Sequence, residues 1–280
     1  MALTANTIPT IVGDAILETL KGNLVYRKLF NGNYTGSVAP GNVVKIPSIG
    51  SVTIGAYSEY TDMDDDEASD AGASMAVDQQ SYFSIVLDDV DAAMAKPAVM
   101  AAYASEATFR LQSTIDSYLG GLLATGGTLT TGLGDDTTPI EVNAANVDVQ
   151  LRLMARMLDD AKVPRSGRFA VLPPWAVEDL VESNIVDNTN NADALANAMV
   201  AKYAGFDILM SQSVPNTTGA EYKVVAGSAI SATMAIALNN TEMLRHPTQF
   251  ADKFRGLAVY GGKVTRPDTI CVGTWNEASA

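Results

Sequence analysis

The segment PAVMAAYASEATFRLQSTIDSYLGGLLA, residues 97–124, carries a long helical pattern. Its apolar side chains recur every three or four residues, which places them on one face of an α-helix. These positions are Met100, Ala104, Ala107, Leu111, Ile115, Tyr118 and Leu122. Pro97 suits a first helical turn, and the pair Gly120-Gly121 is expected to weaken the far end. A helix over residues 97–119 would be about 35 Å long, so we predict that other parts of the chain lie along it.

Two extended runs precede this helix, at residues 43–57 and 75–87. In the second run, apolar residues alternate at Phe83, Ile85 and Leu87, which is the period of a half-buried β-strand. Paired, the runs would form a hairpin about 50 Å long, since each strand residue adds about 3.3 Å. A two-stranded ribbon of that length is marginal by itself. We therefore expect it to rest on a partner, and the chain to form an oligomer.

An acidic segment separates the two runs. It contains Asp62, Asp64, Asp65, Asp66, Glu67 and Asp70. Its D-x-D-x-D spacing resembles the start of a calcium loop, but Glu67 stands where that loop needs glycine and Ala73 where it needs its last carboxylate. We predict a solvated loop tip. Two alternatives stay open: the segment forms a cation site, or it forms an acidic surface that meets a basic patch on a neighbouring copy.

The C-terminal half mixes helices and strands without the strict alternation of a doubly wound parallel sheet. Residues 126–134 are rich in glycine and predict a flexible connection, because no Gly-Lys-Ser or Gly-Lys-Thr of a phosphate-binding loop follows. Helices are predicted at 143–162, 175–182 and 191–204. Strands are predicted at 167–175 (running into the second of these helices), 206–210, 222–226, 233–238, 241–245, 256–263 and 269–273. The first of these helices should bury one face formed by Val147, Leu151, Met154 and Leu158.

Composition argues against several classes of protein. A net charge of −14 over 280 residues opposes binding to nucleic-acid phosphates, and no run of basic residues interleaved with aromatics occurs. No stretch approaches the roughly 20 unbroken apolar residues of a membrane-spanning helix. The first 20 residues lack the pattern of a secretory signal, so we expect a soluble protein made in the cytoplasm and no membrane partner.

Residues that carry catalysis or bind metals are scarce. His246 is the only histidine and lies in a predicted turn, and Cys271 is the only cysteine and lies in an apolar strand-like segment. A Cys-His pair would need both, and a zinc shell needs more such ligands than these two. Glu178, Asp179 and Glu182 share a predicted helix, where a solvated face explains them. We predict no catalytic, cofactor-binding or metal-binding residues and no cofactor, which favours a structural protein over an enzyme.

Four stretches, in this order, carry a family resemblance. They are VVKIPSIGSVTIGAY (43–57), YFSIVLDDVDAA (82–93), VPRSGRFAVLPPWAVEDL (163–180) and DKFRGLAVYGGKVTRPDTICV (252–272). With an N-terminal arm, a long hairpin and a spine helix, the chain resembles the major capsid proteins of tailed bacteriophages with the Hong Kong 97-type fold. The resemblance covers nearly the whole chain and implies an α+β fold.

The resemblance also implies a division of the chain and a set of partners. The parts are an N-terminal arm (1–35), an extended hairpin loop (36–87), a peripheral domain with the spine helix (88–143), an axial domain (144–254), and peripheral return strands with the C-terminal tail (255–280). Copies would form pentamers and hexamers of an icosahedral shell around phage double-stranded DNA, which is enclosed without sequence-specific binding. Scaffolding, portal and decoration proteins are further implied partners, and the location is the virion, assembled in the host cytoplasm.

Some relatives link their subunits covalently through a lysine of the extended loop. No lysine occurs between Lys45 and Lys96, so no such link is expected from this loop tip. An encapsulin-like compartment shell is the alternative function. An enzyme or ligand-binding domain ranks last, because one histidine and one cysteine supply little chemistry.

Overall fold

The computed structural model describes residues 25–33, 43–46, 54, 56, 59, 72–88, 99–183, 199–217, 219 and 221–278. Within these ranges the helices are α1 (Val99–Gly126), α2 (Val147–Asp160) and α3 (Pro174–Glu182). The strands are β1 (Val43–Ile46), β2 (Ala73–Ala76), β3 (Gln79–Asp88), β4 (Ile140–Val142), β5 (Arg168–Leu172), β6 (Met199–Tyr203), β7 (Phe206–Met210), β8 (Tyr222–Ser228), β9 (Ala232–Arg245), β10 (Ala251–Val264) and β11 (Ile270–Glu277). Short 3₁₀ turns occur at Tyr26–Leu29 and Pro267–Thr269. This is an α+β fold, as predicted.

Helix α1 is the predicted spine. Leu111 and Ile115 are buried as expected, and the buried stripe continues through Leu119 and Leu123 rather than through Tyr118 and Leu122, which flank it half-buried. The helix does not end at its glycine pair but continues to Gly126. Gly120 is needed for packing, since a Cβ there would lie 2.9 Å from the ring of Tyr26. The pair therefore marks a close contact and not a helix end.

A three-stranded antiparallel sheet, in the order β3-β10-β9, lies against α1. Two aromatic contacts tie these elements together: Phe83 lies 5.2 Å from Phe254, and Tyr118 lies 5.2 Å from Tyr260, between ring centroids. The prediction of two strands at 233–238 and 241–245 was wrong, because β9 is continuous. Strand β9 continues through residues 239–240, where its register against β10 shifts between Leu257 and Ala258.

A six-stranded mixed sheet, in the order β4-β11-β8-β5-β7-β6, packs against α2 and α3. All four residues of the predicted apolar face of α2 are fully buried: Val147, Leu151, Met154 and Leu158. Strand β5 is buried along its whole length, as the sequence predicted, and α3 follows it from Pro174, one residue before the predicted start of that helix. This sheet and its helices form a second core, separate from the one around α1.

The helix predicted at 191–204 was wrong where the structure describes it. Residues Met199–Tyr203 form strand β6, which pairs antiparallel with β7. The two strands are joined by Ala204 and Gly205, whose φ angles are 51° and 85°. Two consecutive positive φ angles are typical of the tightest hairpin turn. Gly205 thus serves a hairpin turn.

The predicted long hairpin is confirmed at its base. Strand β1 pairs antiparallel with β2, with Val43 opposite Ala76 and Ile46 opposite Ala73. The second predicted run is divided, however, because β3 leaves this pair and joins β10 instead. Most of 47–71, including the acidic segment 62–70, and most of the predicted arm 1–35 lie outside the described residues.

The stretch predicted as a flexible connection packs in place against β11. Thr274 donates its N–H to the carbonyl of Leu133 (3.1 Å), and Val272 donates to Leu129 (3.1 Å). The predicted division into arm, loop, peripheral and axial parts stays a prediction. Strand β11, which that division assigns to the peripheral return strands, pairs with β8 and β4 in the six-stranded sheet.

Candidate functional site

The structure keeps the two candidate catalytic side chains apart. His246 lies in the turn between β9 and β10, where its backbone N–H donates to the carbonyl oxygen of Ala251 at 2.9 Å. Cys271 lies in β11, fully buried in the core of the other sheet, with its Sγ 3.7 Å from the carbonyl oxygen of Met154. Burial raises the pKa of this thiol to about 12, which disfavours the nucleophilic thiolate. The two residues therefore form no catalytic pair.

The carboxylates of α3 lie on its surface. Glu178 and Glu182 are exposed, and Asp179 is half-buried. Partial burial and then the nearby charges of Glu182, Glu277 and Glu178 raise the pKa of Asp179. Nothing in the described part of the chain groups three or more His, Cys, Asp or Glu side chains as a metal site would. None of the helices in the described ranges is long and apolar enough to span a membrane.

A groove of about 660 Å³ runs between β3 and the N-terminal half of α1. Among the described residues that line it, the charged side chains are Glu106 and Arg110, which bind each other at 2.8 Å on the exposed side of the helix. The remaining lining residues are apolar side chains, hydroxyls and one amide: Gln80, Ser81, Tyr82, Phe83, Ser84, Ile85, Ala107, Leu111 and Thr114. No hydroxyl among these described residues has an orienting base beside it, as an activated nucleophile would need.

The opposite face of the three-stranded sheet is its most distinctive surface. Side chains alternate along a strand, so Phe83 and Phe254 point to α1 while their neighbours point away from it. We call this second side the outer face. Its first half is covered by the hairpin base, where Met75 and Val77 are buried against Val259.

No residue that the structure describes covers the second half of the outer face. Cross-strand register aligns Val86, Lys253 and Leu244 in one row and Ser84, Arg255 and Glu242 in the next. We call the following five residues the uncovered patch: Tyr82, Val86, Leu244, Lys253 and Arg255. Its apolar members are well exposed, with Tyr82 at 79%, Val86 at 46% and Leu244 at 42%.

The two cations of the uncovered patch, Arg255 and Lys253, differ in their ion pairs. Arg255 donates from Nε to Oε2 of Glu242 at 3.0 Å. Lys253 forms no ion pair with any residue that the structure describes. The two cations border a depression of about 420 Å³ that Tyr82 and Leu257 also line. The exposed apolar side chains of the uncovered patch therefore lie beside two cations, of which Arg255 has an ion-pair partner among the described residues.

A buried carboxylate anchors the first described segment to the spine helix. Asp116, 6% exposed, accepts the backbone N–H of Tyr26 at 3.0 Å. Burial raises the pKa of this carboxyl to about 6, although hydrogen bonds from the N–H groups of Tyr26 and Val25 and from the side chain of Ser213 lower it. Sequence reasoning missed this contact. The available signal was the polar pair Gln112 and Asp116, four residues apart on the buried face of α1.

A buried guanidinium fixes the connection between α2 and β5. Arg168, 2% exposed, donates from Nη2 to Oδ1 of Asp159 at 2.7 Å and to the carbonyl of Val163 at 2.5 Å. Its Nε donates to the carbonyl of Pro164 at 3.0 Å. Arg165 also binds Asp159, and these bonds, first from Arg165 and then from Arg168, lower the pKa of that carboxyl. The arrangement is structural, since it closes a loop and leaves no site beside it.

No protein-family model matches the chain. No curated protein matches it either. Solved structures do match. A structure from Mycobacterium phage Che8 is 25% identical, with a TM-score of 0.72 over 90% of this chain and 91% of that one. The capsid structure of cyanophage P-SCSP1u is 18% identical, with a TM-score of 0.73 over 92% of this chain and 89% of that one.

A further similar structure is the virus-like particle from Pyrococcus furiosus, at 12% identity and a TM-score of 0.58. The match covers 95% of this chain and 99% of that one. These similarities extend over nearly the full length of each chain, so they concern the whole fold and not a shared domain. The fold is one from which closed protein shells are built.

Proposed function

Because the chain has the Hong Kong 97-type fold of tailed-phage capsid proteins, we propose that it is a major capsid protein. Copies of it assemble into the icosahedral head shell that encloses a double-stranded DNA genome. The observation that carries the proposal is the match to the cyanophage capsid structure, which covers 92% of this chain and 89% of that one. Shell proteins with this fold are structural, which agrees with the separation of His246 from Cys271.

The experiment is to express the full chain, purify it and image it by negative-stain electron microscopy over a range of protein concentrations and salt. We expect rings and closed shells of uniform diameter. A chain that stays monomeric under every condition, while folded by circular dichroism, would overturn the proposal.

Finer features belong to the same proposal. Pentamers and hexamers are the expected units of the shell, with residues 144–254 forming the axial part that meets at their centres. Residues 36–87 form the loop that overlaps a neighbour, and residues 88–143 with 255–280 form the periphery around the spine helix. A scaffolding, portal or decoration protein would join the assembly in the host cytoplasm. The enclosed DNA is held by containment, since the net charge of −14 opposes a tight nucleic-acid interface.

A second candidate is an encapsulin-like compartment shell. The observation in its favour is the match that covers 99% of the Pyrococcus furiosus virus-like particle chain. The TM-score of 0.58 for that match is lower than the 0.73 for the cyanophage capsid, which favours the phage function. The contents of native particles separate the two: genome-length DNA supports the phage head, and a packaged enzyme without DNA supports the compartment.

A further inference from the structure

The first described segment, residues 25–33, ends in a turn in which an asparagine stands directly before a glycine. Asn31 and Gly32 form the only Asn-Gly pair in the chain. Asn31 is half-buried, whereas Gly32 and Asn33 are exposed. The backbone N–H of Gly32 donates to no acceptor among the residues that the structure describes. Water therefore reaches this turn, and no hydrogen bond within the described chain restrains the peptide nitrogen that follows Asn31.

A hydrogen bond turns the carboxamide of Asn31 toward this glycine. Its Oδ1 accepts the backbone N–H of Asn33 at 3.1 Å, which is the turn that an asparagine side chain forms with the residue two positions on. The ring that this bond closes contains both Cγ of Asn31 and the peptide nitrogen of Gly32. The bond therefore keeps these two atoms near each other and polarises the side-chain carbonyl group.

The backbone of Asn31 also attaches the segment to the three-stranded sheet. Its N–H donates to the carbonyl oxygen of Ala232 at 2.9 Å, and its carbonyl oxygen accepts the N–H of Met234 at 3.1 Å. These two bonds form a parallel bridge opposite Thr233 in β9. A change in the backbone at Asn31 therefore acts directly on the attachment of the segment to β9.

We propose that Asn31 is a site of spontaneous covalent modification in the folded chain. The peptide nitrogen of Gly32 attacks Cγ of Asn31, the side-chain amino group leaves with the proton of that nitrogen as ammonia, and a cyclic succinimide forms. One molecule of water then opens the ring. Addition of water at Cγ gives aspartate, and addition at the former backbone carbonyl carbon gives isoaspartate. The sequence of steps needs water and no oxidant, reductant or second protein.

The glycine is essential to the proposed reaction. It has no Cβ, so no side chain branches beside the attacking nitrogen. Asn143 forms the same turn, since its Oδ1 accepts the N–H of Ala145 at 3.0 Å, but the residue that follows it is Ala144. Asn143 thus provides a comparison within the same chain that keeps the hydrogen bond and lacks the glycine.

The modification weakens the bridge to β9. Both products place a carboxylate at residue 31. In isoaspartate the main chain runs through Cβ and Cγ, so it gains one atom before Gly32, and the oxygen that accepts the N–H of Met234 becomes part of the carboxylate. We expect hydrogen exchange at the Met234 amide to be faster in modified chain than in unmodified chain.

The test follows the full wild-type chain by peptide mass spectrometry during incubation at mildly alkaline pH. Loss of ammonia and gain of water raise the mass of a modified peptide by about 1 Da. We expect conversion at Asn31 to be at least about tenfold faster than at Asn143, because the Cβ of Ala144 hinders attack. Methylation by an isoaspartyl methyltransferase then identifies the isoaspartate at residue 31.

Gly32→Ala is the matched variant, because it keeps Asn31 and adds a Cβ beside the attacking nitrogen. Conversion at Asn31 should slow about tenfold in this variant. Circular dichroism melting shows whether the variant folds. The comparison of Asn31 with Asn143 uses the wild-type chain alone, so it decides the question even if the variant does not fold.

Three results would count against the proposal. If Asn31 stays intact in the folded chain while it converts in the same chain unfolded by urea, the fold protects the site and the proposal is wrong. A folded Gly32→Ala variant that converts as fast as wild type excludes attack by this nitrogen. Unchanged exchange at Met234 in modified chain excludes the effect on the bridge. None of these measurements requires assembly, so they are independent of the capsid function.

Discussion

Asp116 links the protonation of one buried carboxyl to the attachment of residues 25–29 to the spine helix. Its three hydrogen-bond donors are neutral, so the carboxylate is desolvated without a compensating cation. The pKa in the folded chain is about 6, against 3.8 for an ordinary Asp. The folded state therefore binds this proton more tightly than the unfolded state does. Its contribution to stability grows as pH falls through about 6 and is lost as pH rises above that value.

We predict that Asp116→Asn reduces the pH dependence of stability between about pH 4 and pH 7. The amide keeps an oxygen that can accept the N–H of Tyr26 but has no proton to exchange in this range. The measurement is urea denaturation of the unassembled proteins. On acidification from pH 7 to pH 4, the free energy of unfolding of the wild type should rise by about 2 to 3 kcal/mol relative to that of the variant. Parallel curves for the two proteins across this range would contradict the prediction.

Arg168 tests how much a planar fork of hydrogen-bond donors matters when the side chain is buried. We predict that Arg168→Lys lowers the free energy of unfolding by about 2 to 3 kcal/mol, because one ammonium cannot reach Asp159 and the two loop carbonyls together. Arg165→Lys is the matched control. Arg165 binds the same carboxylate from a side chain that is 80% exposed, and this change should cost less than about 0.5 kcal/mol. Equal losses in urea denaturation would show that burial is not the cause.

Among the elements, the hairpin base depends on one glycine of β10. A Cβ at Gly261 would lie 2.3 Å from the carbonyl oxygen of Ala76 and 2.8 Å from the Cα of Val77, and both of these are backbone atoms. We predict that Gly261→Ala separates β2 from β10 and lowers the free energy of unfolding by about 2 to 3 kcal/mol. Hydrogen exchange at the amides of Met75 and Ala76 should accelerate.

Gly121 supplies the control for this change. It lies inside α1, and a Cβ there would meet nothing within 4 Å. Gly121→Ala should stabilise the chain by about 0.5 to 1 kcal/mol through helix propensity and leave exchange in β2 unchanged. Faster exchange of Met75 in both variants would point to general destabilisation instead of a lost contact.

Elements with a regular period were predictable from the sequence. Helix α2 repeats apolar side chains at helical spacing, and the four positions of its predicted apolar face are all buried. Strand β6 was not predictable in this way, since its residues form a strand only because β7 pairs with them across the turn at Ala204 and Gly205. Tertiary pairing here overrides a local helical pattern. Asp116 was missed for a related reason, because its partner Tyr26 is 90 residues away.

At the scale of the whole molecule, the order of four sequence stretches predicted the fold that the structure has. Charge and composition did not predict how side chains are grouped on the faces of the three-stranded sheet. The uncovered patch depends on cross-strand register, which places Lys253 between Val86 and Leu244. Residues so far apart in the chain give no local signal. Sequence patterns therefore predict elements, and the sheet register is needed to predict a surface.

For the proposed shell, the net charge of −14 predicts weak binding of the chain to DNA. We expect no measurable binding of fluorescently labelled duplex to unassembled chain at about 10 µM protein and near-physiological salt. Fluorescence anisotropy is the measurement, with a basic DNA-binding protein as the positive control. Binding that depends on the DNA sequence would contradict passive containment.

The burial of Cys271 makes the chain convenient for site-specific labelling. The thiol is fully buried and its pKa is raised to about 12, so maleimides at neutral pH should leave the folded chain unmodified and react once it unfolds. A cysteine introduced on an exposed position would then be the single reactive thiol, with no need to remove the native one. The same property turns Cys271 into a built-in reporter, because its modification by a fluorescent maleimide counts the chains that have lost their fold.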